Sequence, residues 1–385
     1  MENLTHSLVG IAASKAGLER LSPATTPLCF IAANAPDADI VTAFFGDRWT
    51  YLEHHRGITH SIVGTFAIAL ALPLVFYLVD RGIARVRRTK PRIELKGLII
   101  ASLIVSATHP FMDWTNNYGV RPFLPWSSEW VYGDLVFIVD PYIWFFVGGA
   151  AFLLTSRNKK QLAIWIFLAA AISFLVFFVV ERRPGIDNLT WIRLLWGLEL
   201  VTLVVLFNLK IAQQWGAKIA LAGFVILIGY WLSLGVIHRI AVHRAYTRGL
   251  HIAETNDESM SDVAAMPTLA NPLRWQVVVE TDRAAYRFDL FLVGQQNTDD
   301  NQMVRYPRPE TLASPAIMEA SEVRSAKVFL GFARFPVASV VGEDCTTQTL
   351  VQLADLRYTE PGSQRGTFAL TVPVECPTNT QRTMP

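Results

Sequence analysis

His54-His55-Arg56-Gly57-Ile58-Thr59-His60-Ser61 ends where an apolar run begins that carries no acidic or basic residue as far as Val79. A helix needs roughly 20 apolar residues to cross the hydrocarbon of a bilayer, so this run reads as a membrane span. The octapeptide before it holds three imidazoles, a guanidinium and two hydroxyls. Working outward, comparable polar groups border apolar segments at Thr5-His6, at Asn34-Ala35-Pro36-Asp37-Ala38-Asp39 and at His109-Pro110-Phe111-Met112-Asp113. Together they suggest one metal site divided among four helix ends.

Composition sets the frame. The chain of 385 residues is long enough for two domains, and its 52% hydrophobic content and 11 Trp lie mostly in the first part. Mean hydropathy of +0.32 is high for a soluble protein. The fold class expected is an all-α polytopic membrane bundle, with about six transmembrane helices and a short N-terminal helical hairpin, followed by a small β-rich (α+β) soluble domain. The boundary falls near residue 250, giving 1–250 and 251–385. A formal charge of +2, with the basic residues gathered in one loop, excludes nucleic acid as a default partner. Cys29, Cys345 and Cys376 show no CxxC spacing; Cys345 and Cys376 could pair in an oxidising compartment. The N-terminus opens on Glu2 and His6 with no basic region before an apolar one, so it does not read as a cleaved signal.

Along the chain, Thr5 to about Leu18 reads as a helix capped by Thr5 or Asn3, and Pro27 to Asn34 as a second short one. A polar and aromatic loop runs from Phe44 to His60. Spans follow at Ser61–Val79 and Leu98–Thr108, then at about 135–155, 162–180, 190–209 and 217–237. Arg81, Arg85, Arg87, Arg88, Lys90, Arg92 and Lys96 crowd the connection between the first two, which places it in the cytoplasm. Arg157, Lys159 and Lys160 fall on that side too, whereas Arg182 and Arg183 oppose the alternation. Counting spans puts the tail outside the cytoplasm. In the tail, Trp275–Glu280 and Tyr286–Val293 read as a hairpin around Thr281-Asp282-Arg283. Ala326–Phe332, Gln348–Leu353 and Thr367–Val374 read as further strands, Pro309–Val323 as a helix and Gln295–Gln302 as a polar loop.

His6 begins the first helix, Asp37 and Asp39 follow the second, His60 begins the third and His109 ends the fourth. If consecutive helices run antiparallel, these ends share one face, the non-cytoplasmic one. Imidazole nitrogens and carboxylate oxygens suit a divalent transition metal, zinc first, with manganese or iron as alternatives. The metal ligands expected are His6, Asp37, Asp39, His60, His109 and Asp113. Asp37 and Asp39, two apart on an extended segment, would point to one side, and His109 and Asp113 share a helical face if the helix continues through Pro110. Taken singly, a histidine at a helix end is more often a cap, and an Asp after Pro is usually turn chemistry. It is their convergence beside a membrane that carries the metal reading. Arg56 and His55 are the candidates for orienting substrate or stabilising charge, although Arg56 could equally pair with an aspartate. Asp140 is either a site residue or a buried helix-breaking one.

These residues resemble the family of membrane-bound, metal-dependent hydrolases typified by the LexA-regulated inner-membrane protein YdjM. The resemblance rests on Thr5-His6 with Gly10, on Pro36-Asp37-Ala38-Asp39, on His55 through Ser61, and on His109 through Asp113 continuing to Thr115, Gly119-Val120 and Pro122 to Trp126. It covers about the first 130 residues, and Pro110 departs from the pattern. It implies a multi-pass protein of a bacterial-type inner membrane and, through a relation to zinc-dependent phospholipase C and single-strand nucleases, phosphoester hydrolysis. The substrate expected is lipid-like and reaches the site from the outer membrane-water interface; membrane lipids are the expected partners. The competing reading is a non-enzymatic membrane metal-binding or transport protein. Transport would call for ionisable residues inside the spans; Ser61–Val79 and Leu162–Val180 contain none, while Asp140 and Glu199 interrupt later ones. A third reading makes the tail the working part, yet no histidine follows His251.

Overall fold

The computed structural model describes residues 1–179, 189–294, 303–308, 314–341, 348–362 and 368–375. Arg182 and Arg183, the loop Gln295–Gln302 and the Cys345–Cys376 pairing lie outside the described residues. Two compact units emerge: Met1–Asp39, Arg56–Val236 and Pro267–Pro272 form one, and Ile40–His55, Ile237–Met266 and Leu273–Pro385 the other.

The first unit is helical. α1 (Asn3–Lys15) starts on Glu2, whose carboxylate accepts from the Thr5 amide at 3.0 Å, so Glu2 rather than Asn3 or Thr5 is the cap. α2 (Thr25–Asn34) packs against α1 through small residues: a Cβ on Gly10 would stand 2.6 Å from the Cys29 carbonyl oxygen. That close approach brings the start of α1 beside the end of α2. α4 (Ile62–Arg87) and α5 (Leu95–Trp114) are two of the five helices among the described residues that are long and apolar enough to cross a membrane, with Lys159–Phe178, Leu189–Asn208 and Lys218–Thr255. Exposed Ile62, Phe66, Leu74 and Leu78 on α4 fit hydrocarbon surroundings. The sixth expected span gives only the shorter apolar helix Pro141–Thr155, interrupted by a π-helical turn at Trp144–Gly148. It begins where Asp140 caps the amides of Tyr142 and Ile143 at 2.9 and 3.3 Å. Its second oxygen accepts from the Tyr230 hydroxyl at 2.9 Å, so Asp140 does capping work. The last span runs for 38 residues, roughly 57 Å of helix, well beyond a hydrocarbon core of about 30 Å.

The second unit holds two antiparallel sheets. β1 (Met260–Thr268), β2 (Asn271–Thr281), β3 (Ala284–Phe291) and β4 (Val304–Pro307) pair in that order, and β5 (Pro336–Val341), β6 (Gln348–Asp355) and β7 (Ala369–Glu375) in theirs. The expected hairpin is β2–β3, with Val278 opposite Arg287. Trp275, Val277, Val279, Tyr286 and Phe288 fill its core. The strand expected at Ala326–Phe332 is instead the helix Arg324–Phe332. Its buried residues, Ala326, Phe329 and Phe332, recur every three positions, a helical stripe that the local Val-Phe-Leu run obscures. α3 (Arg48–His54) belongs to this unit, where Trp49 meets the Phe329 ring edge-on at 6.3 Å.

Candidate metal centre

α5 supplies two groups from one face. The helix continues through Pro110 to Trp114, so His109 and Asp113 stand four apart and both are fully buried. α4 supplies a third at its entrance. Ser61 caps it by accepting from the Gly64 amide at 3.1 Å, and a Cβ on Gly64 would lie 1.8 Å from the Ile58 oxygen. Only glycine lets the 3-10 turn Ile58–His60 fold this tightly onto the helix, and that turn aims His60 inward. The fourth group comes from a correction to the expected extended segment. Ala35–Phe44 is a 3-10 helix, in which residues two apart face away from each other. Asp37 therefore reaches the cluster, while Asp39 approaches His60 from its other side.

Asp37, His60, His109 and Asp113 form a group that can hold a metal ion. His60 Nε2 lies 3.3 Å from Asp37 Oδ1, 3.4 Å from Asp113 Oδ2 and 3.1 Å from His109 Nε2. His109 Nε2 lies 3.5 Å from both Asp37 Oδ1 and Asp113 Oδ2. Ligand atoms about 2.0–2.1 Å from a central ion define a tetrahedron with edges of roughly 3.3–3.4 Å, so these five separations suit a single tetrahedral cation.

The protonation pattern points the same way. His109 Nδ1 sits 2.6 Å from the Ala33 carbonyl oxygen, an acceptor only, so this nitrogen carries the proton and Nε2 presents a lone pair. His60 Nδ1 faces Asp39 Oδ2 at 3.4 Å and the Thr59 hydroxyl at 3.1 Å, which assigns its proton in the same way. Two imidazole lone pairs and two carboxylate oxygens then converge. Asp113 Oδ2 is buried with no hydrogen bond among the described residues, and a convergence of acceptors is relieved by a cation.

The remaining sequence candidates fall around this group. His6 stacks on His109 with ring centroids 3.7 Å apart, and its Nε2 stands 3.4 Å from Asp113 Oδ1. Neither of its ring nitrogens makes a hydrogen bond among the described residues. Burial, then the neighbouring His109, push the His6 imidazole down to about 3, so it is neutral. Arg56 is 3% exposed and adopts a left-handed backbone, φ 52°. Its Nη2 pairs with Asp113 Oδ1 at 3.0 Å, where the Met1 amino group also donates. Its Nη1 donates to the oxygens of Asp113, Asn116 and Gly119 at 3.3, 3.2 and 2.9 Å, and its amide donates to Asp39 at 2.9 Å. Of the two alternatives for Arg56, pairing with an aspartate is the one observed. His55 belongs to the other unit, where its ring stacks on Tyr51 at 4.8 Å. Sequence reasoning missed the Ala33 carbonyl and the Asn116 side chain; the first is backbone and leaves no signal, and the second is an ordinary turn residue in sequence.

Residues 1–184 match the YdjM inner membrane protein family. A curated relative, the uncharacterized protein YfhP of Bacillus subtilis (strain 168), is 24% identical over 322 residues, spanning 75% of this chain and 85% of its own length. No solved structure matches.

Proposed function

We propose that this chain, whose first 184 residues match the YdjM inner membrane protein family, is a metal-dependent hydrolase that cleaves a phosphoester at the membrane surface. The observation that carries the reading is the convergence of His60 Nε2, His109 Nε2, Asp37 Oδ1 and Asp113 Oδ2, with both Nδ1 atoms turned to acceptors behind them. A divalent metal bound there, zinc by the mixed nitrogen and oxygen donors, supplies a water of lowered pKa and a Lewis acid for a phosphoryl oxygen. Asp39 and the Ala33 carbonyl hold the two imidazoles in the ligating tautomer. Arg56 anchors Asp113 from behind and fixes its orientation. Neutral His6 stands beside Asp113 to complete the ligand set or to take a proton from the attacking water. Hydrolysis forms a bond from the water oxygen to phosphorus, breaks the phosphorus–alkoxy bond and passes the water proton to the leaving alcohol.

We assign the site and the tail to the extracytoplasmic side. His60 lies at the end of α4 opposite the basic stretch Arg81–Lys96, which the positive-inside rule puts in the cytoplasm. Counting Pro141–Thr155 as a crossing returns Arg157, Lys159 and Lys160 to that same side, and the tail then emerges outside. Labelling single cysteines introduced after Thr255 with a membrane-impermeant maleimide tests this, and labelling only after lysis contradicts it. The activity is tested by incubating purified protein, reconstituted with zinc, manganese or iron, with a panel of soluble and lipid phosphoesters. Chelator-sensitive phosphate or alcohol release is expected; its absence from folded, metal-loaded protein contradicts the hydrolase reading.

A further inference from the structure

A cavity of about 500 Å³ lies between the two spans that carry the cluster, lined by Ile62 and Phe66 of α4, Leu103, Ala107 and Phe111 of α5, and His60 itself. Its size falls within the range of roughly 300–1,000 Å³ typical of small-molecule sites. Apart from His60 and Thr65 its lining side chains are aliphatic or aromatic, and Ile62, Phe66 and Phe111 are 63, 56 and 49% exposed. All three stand on helices that meet the length and hydropathy of membrane spans, at the end that carries the cluster. Such a cavity has no use for a water-soluble phosphoester, whose polar body would leave this apolar wall unmatched.

We infer that this cavity holds an aliphatic chain of a membrane amphiphile whose phosphoester head reaches the metal centre, an assignment that rests on the phosphoester reading above. Two features select that occupant. His60 both lines the cavity and belongs, through Nε2, to the cluster, so a molecule occupying both is polar at one end and apolar at the other. Ile62, Phe66 and Phe111 line the cavity and are exposed on helices of membrane-spanning length, which would let a chain enter from the bilayer without crossing water. Ala107 is exposed within the lining, and a larger side chain there fills the cavity without entering the packed interior of the unit.

The experiment uses the full chain in phosphatidylglycerol vesicles doped with phosphatidylglycerol that carries a diazirine on one acyl chain. After irradiation, labelled peptides are mapped by mass spectrometry in wild type, in Ala107→Trp and in Leu74→Trp, the last a lipid-exposed position of α4 outside the cavity. Labelling concentrated at residues 62–66 and 103–111, cut about tenfold by Ala107→Trp and unchanged by Leu74→Trp, is expected for a site that selects its occupant by volume. Uniform labelling along α4, or labelling that Ala107→Trp leaves intact, overturns the assignment. Hydrolysis of short- and long-chain phosphoesters separates the two ideas. Loss of long-chain turnover alone in Ala107→Trp supports both, and equal turnover of both chain lengths in both proteins overturns the chain site while the hydrolase stands. Cavity-specific labelling with no phosphoester hydrolysed keeps the chain site and removes the phosphoester reading.

Discussion

Two buried clusters of charge in this protein are built on opposite plans. In the second unit, Asp355 and Arg357 are 0 and 3% exposed. Arg357 Nε and Nη2 reach Asp355 Oδ2 at 2.8 and 2.7 Å, and Nη2 also donates to the Phe332 carbonyl at 2.9 Å. The Asp355 oxygens accept further from the amides of Arg357 and Arg334. Positive meets negative and the carboxylate is bonded from several sides. In the first unit, Asp37, His60, His109 and Asp113 turn acceptors towards one another, and Asp113 Oδ2 makes no hydrogen bond among the described residues. A satisfied network is complete as it folds, whereas converging acceptors call for a cation from outside.

Breaking each cluster should therefore fail in a different way. The largest effect belongs to Asp37→Ala, which removes one of the four proposed ligands and, on the hydrolase proposal, should lower hydrolysis by about a thousandfold, given the several kcal/mol that metal catalysis supplies. Its unfolding in the absence of metal should stay close to that of wild type, and steady-state turnover beside a chelator-treated melt checks both. Asp355→Ala should do the reverse. Removing the carboxylate that faces the buried Arg357 guanidinium should cost about 3–5 kcal/mol. Thermal denaturation should show the loss while metal content persists. Asp39→Asn sharpens the contrast: it weakens the partner of His60 Nδ1 without removing a ligand, so metal affinity should drop about 10–100-fold, with full occupancy regained at higher metal in a competition titration. The smallest effect is expected at Arg324, whose side chain is 61% exposed and meets Glu53 at 3.1 Å. Arg324→Ala should shift stability by at most about 1 kcal/mol and leave metal content alone, since exposed pairs are screened.

The membrane bundle and β-rich tail were legible because long apolar runs and alternating strands leave strong periodic signals. The spacing of His109 and Asp113 was equally legible, since four residues on a helix meet on one face whatever surrounds them. Asp37 and Asp39 were harder. Ala-Pro-Asp-Ala-Asp reads as a turn or an extended segment, and only the 3-10 winding of Ala35–Phe44 sends the two carboxylates to different sides of His60. The Ala33 carbonyl that fixes His109 leaves no trace in sequence, because every residue has one. At Arg324–Phe332 the β-branched and aromatic run outweighed a three-residue stripe that tertiary packing rewards as a helix. At Pro141–Thr155 hydropathy alone overstated the length of regular helix, because Pro141 fixes where it starts.

The central claim is that the cluster of Asp37, His60, His109 and Asp113 is a metal centre, and metal content by inductively coupled plasma mass spectrometry on detergent-purified full-length protein tests it most directly. Wild type and Asp355→Ala should carry stoichiometric divalent metal, whereas His60→Ala and an Asp37→Ala, Asp39→Ala double variant should lose it. Folded variants that keep the wild-type content, or wild-type protein that takes up no divalent metal after reconstitution, would contradict the account.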